Sequence, residues 1–287
     1  MTGVLQHLID LLSLEKKSHD TFVGLSEDLG LPAIFGGQVL GQSLVAAWET
    51  VDNWLPHSLH AYFLRPGDAQ KPIEYRVDRI RDGGSFCTRY VTACQNGQVI
   101  FNLSSSFKSK EEGLQHQDSA PSVPGPEGLL SEQDIAKQYA DRLPEKMRLK
   151  FTQQRPIEVR VIDPVDPFNP HRRPATKYSW FKAIDKLPND PKIHYALLAY
   201  ASDFGLALTS LLPHGQSFID KNMHVTSIDH AIWFHQEFHL DQWLLYSKDS
   251  PSAANGLGFN RGQVYSQDGR LVASVSQESL IRKRKPK

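Results

Sequence analysis

The sequence predicts an α+β protein built from two copies of one unit, each an antiparallel sheet wrapped on a single buried helix. Three observations carry this reading. Each half of the 287-residue chain contains a long stretch with at most one charged residue. Each stretch is followed by segments whose apolar residues alternate with polar ones. The strands after the two stretches also resemble one another, so the chain reads twice.

In chain order, Met1–Leu14 is amphipathic, with no basic segment, apolar core and cleavage site in the order of a secretory signal. The first uncharged stretch runs Phe35–Ala47. It falls short of the roughly 20 apolar residues a membrane span needs, and a helix apolar nearly all round is one buried on all sides. Leu59–Leu64 follows as a strand, then Ile73, Tyr75 and Val77 alternate with Glu74, Arg76 and Asp78. Such alternation marks a sheet with one packed face and one wet face. Asn96-Gly97 is a hairpin signal, because both central residues of the favoured turn need positive φ. Pro121, Pro124 and Pro126 then break any regular element, and Ser131 is placed to cap a short helix reaching Leu143.

The second copy opens with alternation at Ile157, Val159 and Val161, and its matching stretch is Tyr195–Leu208, uncharged but for Asp203. Ser227–Phe234 is expected as the next strand, with Asp229-His230-Ala231 matching Leu59-His60-Ala61. Asp268-Gly269 matches Asn96-Gly97 ahead of the last strand. The boundaries follow: a first unit over 1–112, a linker over 113–150 and a second unit over 151–287. Beyond the last strand, Arg282–Lys287 reads as a solvated, disordered tail.

Composition excludes some classes of function. Forty per cent of residues are hydrophobic, 22% are charged, and the net formal charge is zero, so nothing draws the chain as a whole to nucleic acid or an anionic membrane. Cys87 and Cys94 form neither a disulfide framework nor a zinc pattern, and suit a reducing compartment.

Three polar residues stand out. Asp203 is the one charged side chain between Tyr195 and Leu212, and its helical neighbours Ala199, Tyr200, Leu206 and Ala207 offer no partner. A lone buried carboxylate raises its pKa or finds a donor elsewhere. It is therefore read as a catalytic base in preference to a cap on a neighbouring loop. Gln277 continues the apolar row Leu271, Ala273, Val275, which turns its amide toward the core or a cleft, or else the strand ends there and Gln277 stands in solvent; the pattern fits both. Ser227 stands at the start of the expected strand. A carboxylate that accepts a proton from water, with a hydroxyl and an amide holding both in line, is a coherent set.

These residues sit within long strings: Ser26-Glu27-Asp28-Leu29-Gly30, Phe35-Gly36-Gly37-Gln38-Val39, His60 through Asp68, Tyr200-Ala201-Ser202-Asp203, Ile228-Asp229-His230 and Trp243-Leu244-Leu245-Tyr246. In them the chain resembles, essentially end to end, the bacterial acyl-CoA thioesterase II proteins. The resemblance implies a double hotdog fold, an acyl-CoA substrate of medium to long chain, and hydrolysis without metal or other cofactor. It also implies a cytoplasmic homo-oligomer with no membrane insertion. Its catalytic Asp, Thr or Ser, and Gln match Asp203, Ser227 and Gln277. Water would attack directly, a backbone amide near a helix start receiving the oxyanion. Turn alignment sets Ser105 opposite Gln277 and His57 opposite Ser227, so one working site is expected, with the first unit mainly shaping the acyl tunnel. Candidates for the CoA phosphates are Arg65, Arg79, Arg81, Lys108 and Arg261.

The rival chemistries are weaker. Gly83-Gly84-Ser85-Phe86-Cys87 lacks the final Gly of a nucleophile elbow. A hotdog hydratase would need His five residues after Asp203, where Leu208 stands. His230, His235 and His239 fit no familiar ligand spacing, and Gly256, Gly258 and Gly262 do not make a dinucleotide loop. The non-enzymatic alternative is an acyl-CoA-binding or sensing protein on the same fold.

Overall fold

The computed structural model describes residues 1–284. It comprises α1 (Gly3–Leu12), β1 (Glu15–Ser18), β2 (Thr21–Gly24), α2 (Gly36–Trp48), β3 (Leu55–Phe63), β4 (Ile73–Asp82), β5 (Phe86–Gln95) and β6 (Gln98–Lys108). Two short helices follow, α3 (Glu132–Gln138) and α4 (Glu145–Phe151). The second half contains β7 (Ile157–Ile162), β8 (Thr176–Ala183), α5 (Pro191–Ser202), β9 (Met223–Ser227), β10 (Asp229–Phe234), β11 (Leu244–Ala254), β12 (Leu257–Ser266) and β13 (Leu271–Lys283). This is the α+β double hotdog fold, with one largely buried central helix per half.

All the strands join a single 13-stranded antiparallel sheet in the order β1-β2-β4-β5-β6-β3-β10-β13-β12-β11-β8-β7, with β9 added beside β13. The two halves meet where β3 pairs β10, Tyr62 facing Asp229 and Ser58 facing Trp233. The hairpins keep the expected chemistry: Asn96 and Gly97 have φ of 49° and 75°. At the other turn only Gly269 is left-handed, with φ 87°. Asn255-Gly256, with φ of 53° and 78°, makes a further tight hairpin between β11 and β12.

Every residue of α2 from Gly37 to Trp48 is buried. Its polar Gln42 is tolerated because it is fully partnered: Nε2 donates to the Leu11 and Leu25 carbonyls at 2.6 and 2.9 Å, and Tyr75 Oη donates to Oε1 at 2.6 Å. α2 and α5 pack antiparallel through small residues. A Cβ on Gly37 would lie 2.2 Å from the Tyr200 carbonyl, and one on Gly41 3.0 Å from that of Ala196.

Three expectations need correction. The stretch ending at Leu208 is not one helix. Gly205 takes φ 61°, which ends the α-helical path, and a 3-10 turn runs Ala207–His214. Together Pro191–His214 is long and apolar enough to cross a membrane, but α5 is buried beneath the sheet. Next, Ser227 closes β9 and does not open β10; Ile228 lies between them. Finally, Arg282 and Lys283 pair with His224 and Met223 as the end of β13, so the tail is shorter than expected. Residues 285–287 lie outside the described part.

Candidate active site

Asp203 occupies the C-cap position of α5, where the chain turns out of the helix. Its carboxylate reaches across to the start of α2. Phe35, the α2 N-cap residue, supplies no side-chain bond; instead the Gly37 N–H donates to Asp203 Oδ2 at 3.1 Å. The carboxylate thus caps a helix of the other half, where the helix dipole favours negative charge. Asp203 caps a helix start and not a neighbouring loop, and the same carboxylate also faces a cavity.

Gln277 is fully buried on the inner face of β13, beside Ala273 and Val275. Its Nε2 donates to Asp203 Oδ1 at 2.7 Å and lies 3.0 Å from Ser227 Oγ and 3.1 Å from His230 Nδ1. Ser227 reaches this group because of a bulge. In β10 the buried side chains are His230, Ile232 and Phe234, and strict alternation back from them would turn Ser227 outward. The pairing sum with β13 changes by one between Ala231↔Ser276 and Ser227↔Ser279. The extra residue, Ile228, bonds both neighbours through Glu278 O and Phe63 N–H, and it re-aims Ser227 inward.

The three predicted residues are thus brought together. Loss of hydration pushes the Asp203 pKa up to about 6, against the opposing pull of Gln277, the Gly37 amide and the Ser227 hydroxyl. Burial pushes the neighbouring His230 down to about 3, so its ring is neutral. Sequence reasoning missed His230, whose partner lies on another strand, and Gly37, whose donor is backbone. His235 bonds Ser274 Oγ at 2.8 Å and His239 packs on His194, so the three histidines point to different neighbours.

Asp203, Ser227, Phe35 and Tyr200 open into a cavity of about 800 Å³, near the upper end for small-molecule sites. Its apolar wall includes Phe204, Leu208, Leu211, Phe218, Ile219 and Val225. The first half contributes α1 and residues near 27–35; most of the wall comes from α3, α4 and the second half. This reverses the expectation that the first half mainly shapes the tunnel. By register, Arg89 opposite Ser105 corresponds to Asn260 opposite Gln277. Arg89 is buried and bonds Thr50 Oγ1, the Thr50 and Arg81 carbonyls and Asp82, so the first half carries a different polar network at the corresponding position.

None of Arg65, Arg79, Arg81, Lys108 and Arg261 lines the cavity; its lysines and arginines are Lys150, Arg155, Arg173 and Lys177. Arg155 pairs with Glu132 and Arg173 with Asp163. Arg65, Arg79, Lys108 and Arg261 are held by Val99 O, Asp20, Glu111 and Asp249 respectively.

Comparison with known proteins meets this geometry. The family described as "Acyl-CoA thioesterase" matches residues 146–280, and "Acyl-CoA thioesterase N-terminal domain" matches 26–108. Acyl-CoA thioesterase 2 of Haemophilus influenzae is 44% identical over 283 residues, covering 98% of this chain and 99% of its own. The chain belongs to the acyl-CoA thioesterase II family. Human acyl-coenzyme A thioesterase 8 is 37% identical over 281 residues, 95% of this chain and 88% of its own. Among solved structures, the acyl-CoA thioesterase II TesB2 of Mycobacterium marinum is 38% identical with a TM-score of 0.78, covering 96% of this chain and 98% of its own. Membership of this thioesterase family makes the chain an acyl-CoA thioester hydrolase.

Proposed function

We propose that the enzyme hydrolyses medium- to long-chain fatty acyl-CoA by direct attack of water, with Asp203 as general base and Ser227 and Gln277 aligning it. The observation that carries this reading is the Asp203 carboxylate, which faces an apolar cavity and is held by the Gln277 amide, the Gly37 amide and the Ser227 hydroxyl. Asp203 takes a proton from water as the new C–O bond forms at the thioester carbon. The oxyanion develops near the first turn of α2, whose amides and dipole suit negative charge. The C–S bond then breaks, and the proton on Asp203 returns to the departing CoA thiolate.

An acyl-enzyme route has no support in the site. Ser227 lacks the imidazole partner of an acyl-enzyme nucleophile, since the neighbouring His230 meets Ser202 and Gln277 through its two ring nitrogens. The cavity wall of Leu211, Phe218 and Ile219 suits a long acyl chain, and Lys150 and Lys177 line the same cavity. We assign these two lysines to the CoA phosphates in place of the five candidates from sequence. A purely acyl-CoA-binding role has no observation in its favour.

Thiol release from a ladder of saturated acyl-CoAs tests the proposal. Turnover should be highest on medium and long chains, with no mass adduct on the quenched protein. No thiol release from any chain length by folded enzyme contradicts the function; a trapped acyl adduct contradicts the direct attack.

The proposal extends to a homo-oligomer in the cytoplasm without membrane insertion. Tyr62 and Trp233 stand on the outer face of the sheet where the halves join, 55% and 37% exposed, as an assembly surface would. Light scattering that gives one 32.4 kDa chain at all concentrations contradicts the oligomer.

A further inference from the structure

Gln277 poses a problem of direction. Its side chain has a donor end and an acceptor end of nearly the same shape, yet only the donor end can serve a carboxylate. With the acceptor end forward, its carbonyl oxygen would face Asp203 Oδ1. Something must select between the two orientations.

The neighbouring bonds make the selection. Ser202 Oγ is 2.8 Å from the Ala199 carbonyl, which can only accept, so the single Ser202 proton goes there. Ser202 Oγ is also 2.9 Å from His230 Nε2. Having spent its proton, the hydroxyl can only accept from that nitrogen, which must therefore carry a hydrogen. A neutral imidazole has one such hydrogen, so Nδ1 is bare and accepts. Nδ1 lies 3.1 Å from Gln277 Nε2, and that contact requires the NH2 end of Gln277. One proton of the amide is then directed to Asp203 at 2.7 Å, and the second is shared between His230 Nδ1 at 3.1 Å and Ser227 Oγ at 3.0 Å. At the other end, Ser279 Oγ reaches Gln277 Oε1 at 3.4 Å, consistent with the same orientation.

We propose that His230 is a positioning residue for the hydrolysis, holding the Gln277 amide with its donors toward Asp203 through a tautomer that Ser202 selects. This rests on the assignment of Asp203 and Gln277 above. The route is a closed ring: Ala199, Ser202 and Asp203 on α5, His230 on β10, and Gln277 on β13. β10 is paired on both sides, by β3 and β13, and His230 is buried. The ring therefore ties the end of α5 to the most enclosed part of the sheet. Burial keeps the ring of His230 neutral, with its pKa pushed down to about 3, so the arrangement does not change over the working pH range. Because both Gln277 protons are engaged, Gln277 serves the base and leaves the thioester carbonyl to backbone amides.

The test compares wild type with His230→Leu, His230→Asn and Ser202→Ala on one acyl-CoA. Leu fills the space without an acceptor; the Asn Oδ1 restores an acceptor near the Nδ1 position. His230→Leu should lose about 10²-fold in kcat, the cost typical of slight misalignment, with KM within about 3-fold. His230→Asn should recover most of that loss, and Ser202→Ala should fall between the two. Equal loss in the Leu and Asn variants, or wild-type kcat in folded His230→Leu, overturns the proposal. If the substitutions unfold the protein, nitrogen-15 NMR of wild-type histidine side chains decides independently. His230 should show Nε2–H with bare Nδ1 and no titration between pH 5 and 8; an Nδ1–H form or a charged ring overturns the proposal. A wild type with no turnover is a separate failure, of the thioesterase assignment, and leaves the tautomer measurement standing as its own test.

Discussion

Asp203 is bound by opposing demands. Hydration lost on burial raises its pKa to about 6 from the ordinary 3.8, while the bonds from Gln277, Gly37 and Ser227 favour the charged form. Below 3.8 the group is protonated in folded and unfolded chains alike and contributes no pH dependence. Between 3.8 and about 6 the folded chain keeps a proton the unfolded chain has lost, so rising pH lowers stability. Above that window the full cost, on the order of 3 kcal/mol, is present. The melting temperature of Asp203→Asn relative to wild type should therefore rise as pH goes from 4 to 7; a constant difference contradicts the raised pKa. Ser227 should matter less than Asp203. Ser227→Ala should lower kcat by about 10-fold to 10²-fold, and Ser227→Thr, which keeps the hydroxyl, should stay near wild type; equal kcat for Ala and Thr variants would dismiss the hydroxyl. At this scale the sequence was informative for Asp203 and Gln277, because a charge in an uncharged stretch and an amide in an apolar row break local patterns. It was silent on His230, because nothing in its strand distinguishes a histidine facing Gln277 from one in solvent.

Elements decide whether those residues meet. Periodicity located α2, most of the strands and the short helix capped by Ser131. It could not find the bulge at Ile228, because a one-residue slip leaves the composition of both strands unchanged while reversing which face Ser227 occupies. Likewise the end of α5 depends on the left-handed Gly205, a backbone property that helix propensity does not encode. The contact of α2 with α5 is the most demanding element-level feature, since Gly37 must both pass the Tyr200 carbonyl and donate to Asp203. Gly37→Ala should separate the helices, lowering stability by about 1–3 kcal/mol in urea denaturation. It should reduce kcat more than a surface Gly→Ala change of equal stability does. Unchanged stability and activity would mean the helices are not held at this distance.

The whole molecule joins two similar halves into one sheet and gives them different duties. The second half holds Ser227 and Gln277, and the first lends the start of α2; Asp203 spans the two. Sequence repeats showed the duplication but not which half would carry the cavity. That outcome depends on which distant segments wall the cavity, with residues such as Ile135, Tyr139 and Phe151 meeting the end of α5, a long-range packing effect. With β3 paired to β10 and α2 packed on α5, the halves should unfold together. Fluorescence and circular dichroism should report one coincident urea transition; two separated transitions would show that the site is not built on a single cooperative unit.

The base assignment is tested most directly by kcat for wild type and Asp203→Asn on one long-chain acyl-CoA. The pH dependence of the wild type and binding of a non-hydrolysable thioether analogue are measured in parallel. The account predicts that the wild type loses activity as pH falls through about 6. It predicts that Asp203→Asn loses about 10²–10⁴-fold in kcat while binding the analogue as before. An Asp203→Asn variant that turns over within a few-fold of wild type would contradict it.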